Sequence, residues 1–506
     1  MEGTNSKKKK QLGYSSQFAL VISLIAGCVG TGNIWRFPRV AATNGGGTFI
    51  VAWTIMWALV CIPIMLGEHV IGRSTRHGAP GAFRDFIGEK FAWMGVVIAI
   101  TMAGVAAYYS TVIAWVLQYL GLSLTKGYYG IEDKQALFNS ISNGNIVTVI
   151  LFVFVLALSA FIVLKGIKGI EKANKYFIPI LFTCLVVSAI NSLRLPGASD
   201  GLHYLFDINL KDLLSYKIWL EALTQAVWSA GPGWGLVITL AVFSRAKSDV
   251  GLTTITQGFG DNAGALLAAL VVLPAIFAIA PSIAAAEEIC QGGNNGLTFV
   301  SMTNIFENMP GGYLVSILFF TSLFVAAISS NVCHFMICSL PFVDSGMKKE
   351  KAVKLMFIIL LIWGLPSAWN INFLSNQDWV FGQLMVVGSM FSCFAIIKFG
   401  TKKIRQQFIN NKYKGINIGF WWEICIKIIS PIIVVTMFLW WSIQSIGWEA
   451  NWWNPFGVFS LGTFIVQGGL IILVSILFNK KVSSSIKTKY FDGETFPPIP
   501  DNGFSG

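Results

Sequence analysis

The stretch AGCVGTGNIWRFP, Ala26 to Pro38, puts Gly27, Gly30 and Gly32 in the middle of an apolar run. A helix crossing hydrocarbon satisfies its own backbone, so an interruption there is costly unless the freed groups line a polar cavity. A second run, WSAGPGWG from Trp228 to Gly235, is broken in the same way. Pro232 has no N–H and clashes with the preceding turn, while Gly231, Gly233 and Gly235 permit unwound backbone. Either break alone has a packing explanation, since small residues let helices approach closely. The pair, five apolar segments apart, is what an inverted repeat with a shared midplane site would show. Half-helix N-termini there would aim N–H groups at an anion, and freed carbonyls could hold a cation.

Around these breaks the composition is that of a membrane protein. Of 506 residues, 55% are hydrophobic and 12% charged, too little charge to cover a soluble surface of this size. Twelve apolar segments of spanning length are expected at 18–41, 46–70, 91–121, 146–165, 174–194, 218–243, 258–284, 311–341, 352–371, 379–399, 421–447 and 456–479. They divide the chain into a cytoplasmic N-terminal segment (1–17), a core of two five-helix halves (18–399), helices 11–12 (400–479) and a cytoplasmic tail (480–506). The expected fold class is therefore all-α integral membrane, a 5+5 inverted repeat with helices 1 and 6 broken. MEGTNSKKKK at the N-terminus lacks the apolar core of a removable signal. If the spans alternate from an inner N-terminus, most of the 36 basic residues fall on the inner side, among them Lys7 to Lys10, Arg73, Arg76, Lys348 and Lys402. The net charge of +12 thus reports topology and attraction to anionic lipid, and nucleic-acid binding is excluded.

Eight cysteines lie mostly within spans without metal-ligand spacing, and the loop after segment 3 has neither cysteine nor glycosylation sequon. A bacterial inner (plasma) membrane is the expected location. Asn33, Tyr109, Gln225, Ser229, Asn262, Ser329, Ser330, Asn331 and His334 are polar groups inside apolar segments. Neutral oxygens of this kind suit a small hard cation, although an isolated hydroxyl commonly bonds back to its own helix turn. Arg36 and Asp378 are charges near the outer ends of segments 1 and 10, where partners or a water path are expected. No nucleotide-binding loop or zinc motif is evident, and the four histidines are scattered, so an enzyme is not expected.

Four blocks together resemble the neurotransmitter:sodium symporter family in its bacterial leucine-transporter-like form. They are GNIWRFPRVAATNGGGTF (Gly32 to Phe49), KGIEKANKYFIPILF (Lys168 to Phe182), LPGASDGLHYLF (Leu195 to Phe206) and WLEALTQAVWSAGPGWG (Trp219 to Gly235). The resemblance implies a sodium-coupled secondary active symporter importing an amino acid by alternating access, with 18–399 as the transport core. One sodium would be held by the Cys28 carbonyl, Asn33, Ser229, Asn262 and the substrate carboxylate. A second would be held by carbonyls of Ala26, Val29 and Ala326 with hydroxyls of Ser329 and Ser330. The carboxylate would also meet N–H groups at Thr31 and Gly32 and the Tyr109 hydroxyl, so that ion and substrate raise each other's affinity. Gly30, where amine-transporting relatives have Asp, favours a substrate that brings its own carboxylate.

The side-chain pocket implied by the resemblance comprises Val105, Trp228, Gly231, Trp234, Ser330, Asn331 and His334. Two indoles favour a small neutral amino acid, with a larger apolar or aromatic one as rival. His334 either reads a polar substrate group or bonds a neighbouring carbonyl. Arg36 and Asp378 would close the outer gate under a lid of Trp228 and Tyr109. Asp344 and Tyr14 would serve the inner gate, where the family's arginine is replaced by Gln11 beside Lys10. Trp53 and Leu266 replace two chloride ligands while Gln225 and Ser229 remain, so chloride is not expected to be required, and Asp261 is a candidate for the missing negative charge. Proton coupling through Asp261 or His334, and a transporter-like receptor without turnover, are the alternatives. Assembly into a homo-oligomer stays open.

Overall fold

The protein, described by a computed structural model over residues 13–291, 293–500 and 504, has only helices as regular elements among those residues. α1 is a bent pair, Gln17–Cys28 and Gly32–Thr43, with 58° between its halves. α2 (Gly47–Thr75), α3 (Glu89–Thr125), α4 (Ile146–Leu164) and α5 (Gly166–Leu193) complete the first half. α6 is interrupted between Tyr216–Ala230 and Leu236–Ala241. α7 (Val250–Ile279), α8 (Gly312–Asp344), α9 (Lys349–Trp369) and α10 (Ile371–Phe399) complete the second half. α11 (Trp421–Ser445) and α12 (Leu461–Leu477 with Asn479–Ser485, bent by 56°) follow. Among the described residues nine helices are long and apolar enough to cross a membrane, and up to eleven spans result if each bent pair is one; interrupted α6 lies between α5 and α7.

Hydropathy locates the apolar part of a helix, whereas caps and polar turns set its ends, and the observed boundaries shift accordingly. α5 begins at Gly166 rather than 174, because the Lys168–Lys175 turns are helical. α7 begins at Val250 rather than 258, where the Asp249 carboxylate accepts from the Leu252 N–H. α10 starts at Ile371 rather than 379 beneath an Asn370 cap, and α12 starts at Leu461 beneath a Ser460 cap.

The third helices of the two halves, α3 and α8, pack against each other at the centre, and α8 also packs on α5. Large apolar side chains on the outer helices, such as Ile150, Phe154 and Phe161 of α4 and Ile432 of α11, are exposed. Such a surface is stable only against hydrocarbon or another apolar face.

Each helix break is stabilised from the helices beside it. Val29 ends the first half of α1 in extended backbone, and the Gly30 N–H turns back to the Asn33 Oδ1 (3.2 Å). In α6, Gly231, Gly233 and Gly235 all have positive φ (75°, 82° and 73°). The freed Gly233 N–H donates to Glu68 Oε1 of α2 (2.9 Å), which also accepts from Ser392 of α10 (2.6 Å). Ser389 of α10 donates to the Pro232 carbonyl (2.8 Å). A Cβ at Gly233 would lie 2.2 Å from the Ser389 nitrogen, so the loop and α10 touch backbone to backbone.

At the Asp344 end of the bundle, Arg73 and Arg76 are fully buried and cap the end of α6. Arg73 donates to the carbonyls of Ala246 (2.6 Å) and Ser248 (2.8 Å), and Arg76 to those of Val242 (2.5 Å) and Ser244 (2.9 Å). The same arginines receive the chain beyond α12. The Arg73 guanidinium lies 3.9 Å from the centre of the Phe496 ring, and Arg76 donates to Pro497 (3.1 Å). Arg84 donates to the carbonyls of Ile486 and Thr488, Phe491 packs among Phe86, Phe399 and Phe408, and buried Phe504 accepts from the Ile167 N–H. The described part of the stretch expected as a cytoplasmic tail is thus laid across this end of the bundle.

Candidate functional site

The break in α1 faces α8, and there the sequence-predicted oxygens meet. Ser329 Oγ donates to the carbonyls of Ala26 (3.0 Å) and Ala326 (2.8 Å). Ser330 Oγ lies 3.3 Å from the carbonyls of Ala26 and Val29 and 3.1 Å from that of Ala326. Two hydroxyls and three carbonyls from two helices therefore converge on one buried spot. The Ala26 and Val29 carbonyls are available because the helix stops there. Such an all-oxygen, neutral set can hold a monovalent cation, with the hydroxyls turning their protons away.

The second cluster differs from expectation by one residue. Asn33 Nδ2 donates to Ser229 Oγ (2.8 Å) and to Asp261 Oδ1 (2.8 Å), and Ser229 donates to Asp261 Oδ2 (2.7 Å). Asp261 occupies the place expected for Asn262, whose Oδ1 is buried without a partner among the described residues. One step along a helix rotates a side chain by roughly 100°, so Asp261 and Asn262 cannot face the same point. Gln257, one turn before Asp261, does share that face: its amide donates to Cys28 Sγ (3.1 Å), while its Oε1 is buried and unpartnered. The motif-based reading missed Gln257; the four-residue spacing to Asp261 is the signal that finds it.

Above both clusters lies a cavity of about 430 Å³. Gly30, Thr31, Gly32, Val105, Tyr109, Trp228, Trp234, Ser330 and His334 line it, as expected. The Tyr109 hydroxyl accepts from the Thr31 N–H (3.0 Å), marking the donor end of the second half of α1. Two expected lining residues are elsewhere. Asn331 turns away toward α3 and α4, donating to Ser110 (3.1 Å) and Ser159 (3.0 Å). Gly231 sits beneath the Trp234 ring, which a Cβ would meet at 3.3 Å. Gln383 of α10 also lines the cavity, a buried amide in an apolar segment that sequence reading passed over. Glu68, an intramembrane acid by sequence, was likewise missed although its charge in segment 2 was the signal.

Arg36 and Asp378 both line the cavity, yet among the described residues they form no ion pair with each other. Arg36 donates to Gln225 Oε1 (2.6 Å), and Asp378 accepts from the Tyr108 hydroxyl (2.8 Å). At the opposite end, Asp344 Oδ2 accepts from the Gly78 N–H (2.7 Å), and buried Tyr14 donates its N–H to the Phe243 carbonyl (3.2 Å). Gln11 and Lys10 lie outside the described residues. All eight cysteines are free and buried, and no cluster of His, Cys, Asp and Glu able to hold a metal occurs among the described residues.

The sequence matches the sodium:neurotransmitter symporter family over residues 11–130 and 128–484. It is 28% identical to an uncharacterized sodium-dependent transporter of Methanocaldococcus jannaschii, over 84% of this chain and 89% of that one. A sodium-dependent neutral amino acid transporter, B(0)AT2 of Mus musculus, is 27% identical over 58% of this chain and 44% of its own length. Among solved structures, MhsT in complex with L-phenylalanine superposes with a TM-score of 0.74 at 26% identity, covering 85% of this chain and 99% of that one.

Proposed function

The chain belongs to the sodium:neurotransmitter symporter family, and on that footing we propose that its two broken helices form one coupled site for sodium and an amino acid. The protein is a sodium-coupled amino-acid symporter of the membrane. The observation that carries the site reading is the convergence of five oxygens, from Ala26, Val29, Ala326, Ser329 and Ser330, where α1 stops. These would hold one sodium. A second would bind among the Cys28 carbonyl, Asn33, Ser229, the Asp261 carboxylate and Gln257 Oε1, with the substrate carboxylate completing its shell. Asn262 is dropped from that set on geometric grounds.

The substrate carboxylate would enter at the N-terminus of the second half of α1, where the Thr31 N–H now meets Tyr109. A negative charge at that point stabilises the neighbouring sodium, and the sodium stabilises the carboxylate, which couples the two by linkage. Asp261 brings a fixed negative charge beside Asn33 and Ser229, and this supports transport without chloride. The parted Arg36 and Asp378 suit an outward-facing state, with Tyr14, Asp344 and the chain beyond α12 closing the cytoplasmic side. N- and C-termini would both be cytoplasmic.

Purified protein in liposomes, screened for amino-acid uptake under an inward sodium gradient, a proton gradient or neither, tests this reading. Sodium-driven accumulation is expected. Uptake driven equally by protons would favour Asp261 or His334 as a proton carrier instead. Binding without accumulation under any gradient would make the protein a receptor.

A further inference from the structure

We propose that the substrate carries a neutral hydrogen-bonding side chain, a hydroxyl or a carboxamide, read jointly by His334, Trp234 and Gln383. The inference rests on the cavity being the amino-acid site. His334, Trp234 and Gln383 are 3%, 7% and 5% exposed and all line the cavity. Both ring nitrogens of His334, the indole nitrogen of Trp234 and Oε1 of Gln383 are without partners among the described residues. A buried histidine ordinarily bonds a carbonyl or a carboxylate, and a buried indole N–H ordinarily finds an acceptor.

The unpartnered atoms come from different helices yet belong to one wall. The Trp234 and His334 rings meet edge to face with centroids 6.0 Å apart, and Trp228 meets Trp234 at 6.4 Å. Trp228 in turn lies against α10, where a Cβ at Gly382 would touch its ring, and Gln383 of the same helix lines the same cavity. A neutral imidazole offers one donor and one acceptor, the indole one donor, and the Gln383 carbonyl one acceptor. An aliphatic side chain would leave all of them buried and unpaired, whereas a hydroxyl or carboxamide supplies both a donor and an acceptor. Arg36, Arg39 and Asp378 also line the cavity, but the unpartnered groups of this wall are themselves all neutral, and they match a neutral side chain that both donates and accepts. Such a side chain differs from that of the phenylalanine bound in the structural neighbour.

Uptake of near-isosteric pairs under a sodium gradient tests this: threonine against valine, asparagine against leucine, glutamine against methionine, tyrosine against phenylalanine. A site built to bond a polar group discriminates strongly against the analogue lacking it. The polar member of at least one pair is expected to be favoured about tenfold or more in kcat/KM. His334→Phe and Gln383→Leu should each shrink that ratio, which is insensitive to the amount of folded protein. Equal or better uptake of the apolar member in every pair would overturn the proposal, as would an unchanged ratio in both variants. Absence of sodium-dependent uptake for every amino acid would instead bring down the symport reading and this one with it.

Discussion

Gly30 lies beneath two hydroxyls: a Cβ there would be 3.0 Å from Tyr109 Oη and 3.1 Å from Ser330 Oγ. An aspartate there would press both hydroxyls aside by a few tenths of an ångström and set a second negative charge where the substrate carboxylate is proposed to sit, so Gly30→Asp should abolish sodium-dependent uptake of amino acids. Uptake retained near the wild-type level would show that the substrate carboxylate does not sit there. Ser329 is one of five oxygens at the proposed cation position, and losing a polar contact to a charged group costs about 1.5–3 kcal/mol. Ser329→Ala should therefore raise the sodium concentration for half-maximal uptake by roughly tenfold or more, read from sodium activation curves. Asp261 presents a different case, because its carboxylate bonds only neutral groups, Asn33 and Ser229, in the contacts seen. Asp261→Asn keeps the shape and removes the charge, so uptake should fall at least tenfold in chloride-free medium and recover in part when chloride is supplied. Chloride-independent wild-type-like uptake by this variant would reject the charge-compensation argument.

The broken helix α6 shows how much one element depends on its neighbours. Gly233 combines φ of 82° with a 2.2 Å approach to the Ser389 nitrogen, whereas Gly231 has φ of 75° and only a 3.3 Å approach to the Trp234 ring. Holding a non-glycine residue in such backbone costs about 1–3 kcal/mol, and Gly233→Ala adds a collision between backbones. The Tm of purified Gly233→Ala should fall by several degrees more than that of Gly231→Ala; equal shifts would mean that α10 yields. Both breaks were legible in the sequence because they come as a pair: either alone could be close packing, but two glycine-rich interruptions five segments apart fit an inverted repeat. The five-oxygen set was implied by the family resemblance, not by the breaks alone, which showed only that carbonyls would be freed near adjacent serines. What could not be read was rotation about a helix axis. Asp261 and Asn262 carry equally suitable oxygens, and only the direction in which α7 presents them separates the two. Asn331 failed for the same reason, being one residue past Ser330 and thus turned toward Ser110 and Ser159.

At the scale of the molecule, the helices and their order were visible as apolar runs, while the docking of residues 486–500 and 504 was not. Its contacts join arginine side chains to backbone carbonyls and single phenylalanines to scattered rings, so no apolar periodicity announces them. Ile499 reaches Gly13 and Phe504 bonds Ile167, so the docked stretch touches both the approach to α1 and the start of α5. Removing residues 486–506 should speed backbone hydrogen exchange around Tyr14 and Ile167, measured by mass spectrometry, while exchange at the centre of α3 stays slow. Unchanged exchange at both places would show that the stretch merely rests on the surface. Synthesis runs from the N-terminus, so Arg73, Arg76 and Phe243 leave the ribosome long before Phe496 and Phe504 can cover them. A chain still being made therefore holds every helix of the proposed site with one end unfastened, and that end is fastened only once residues 486–504 arrive.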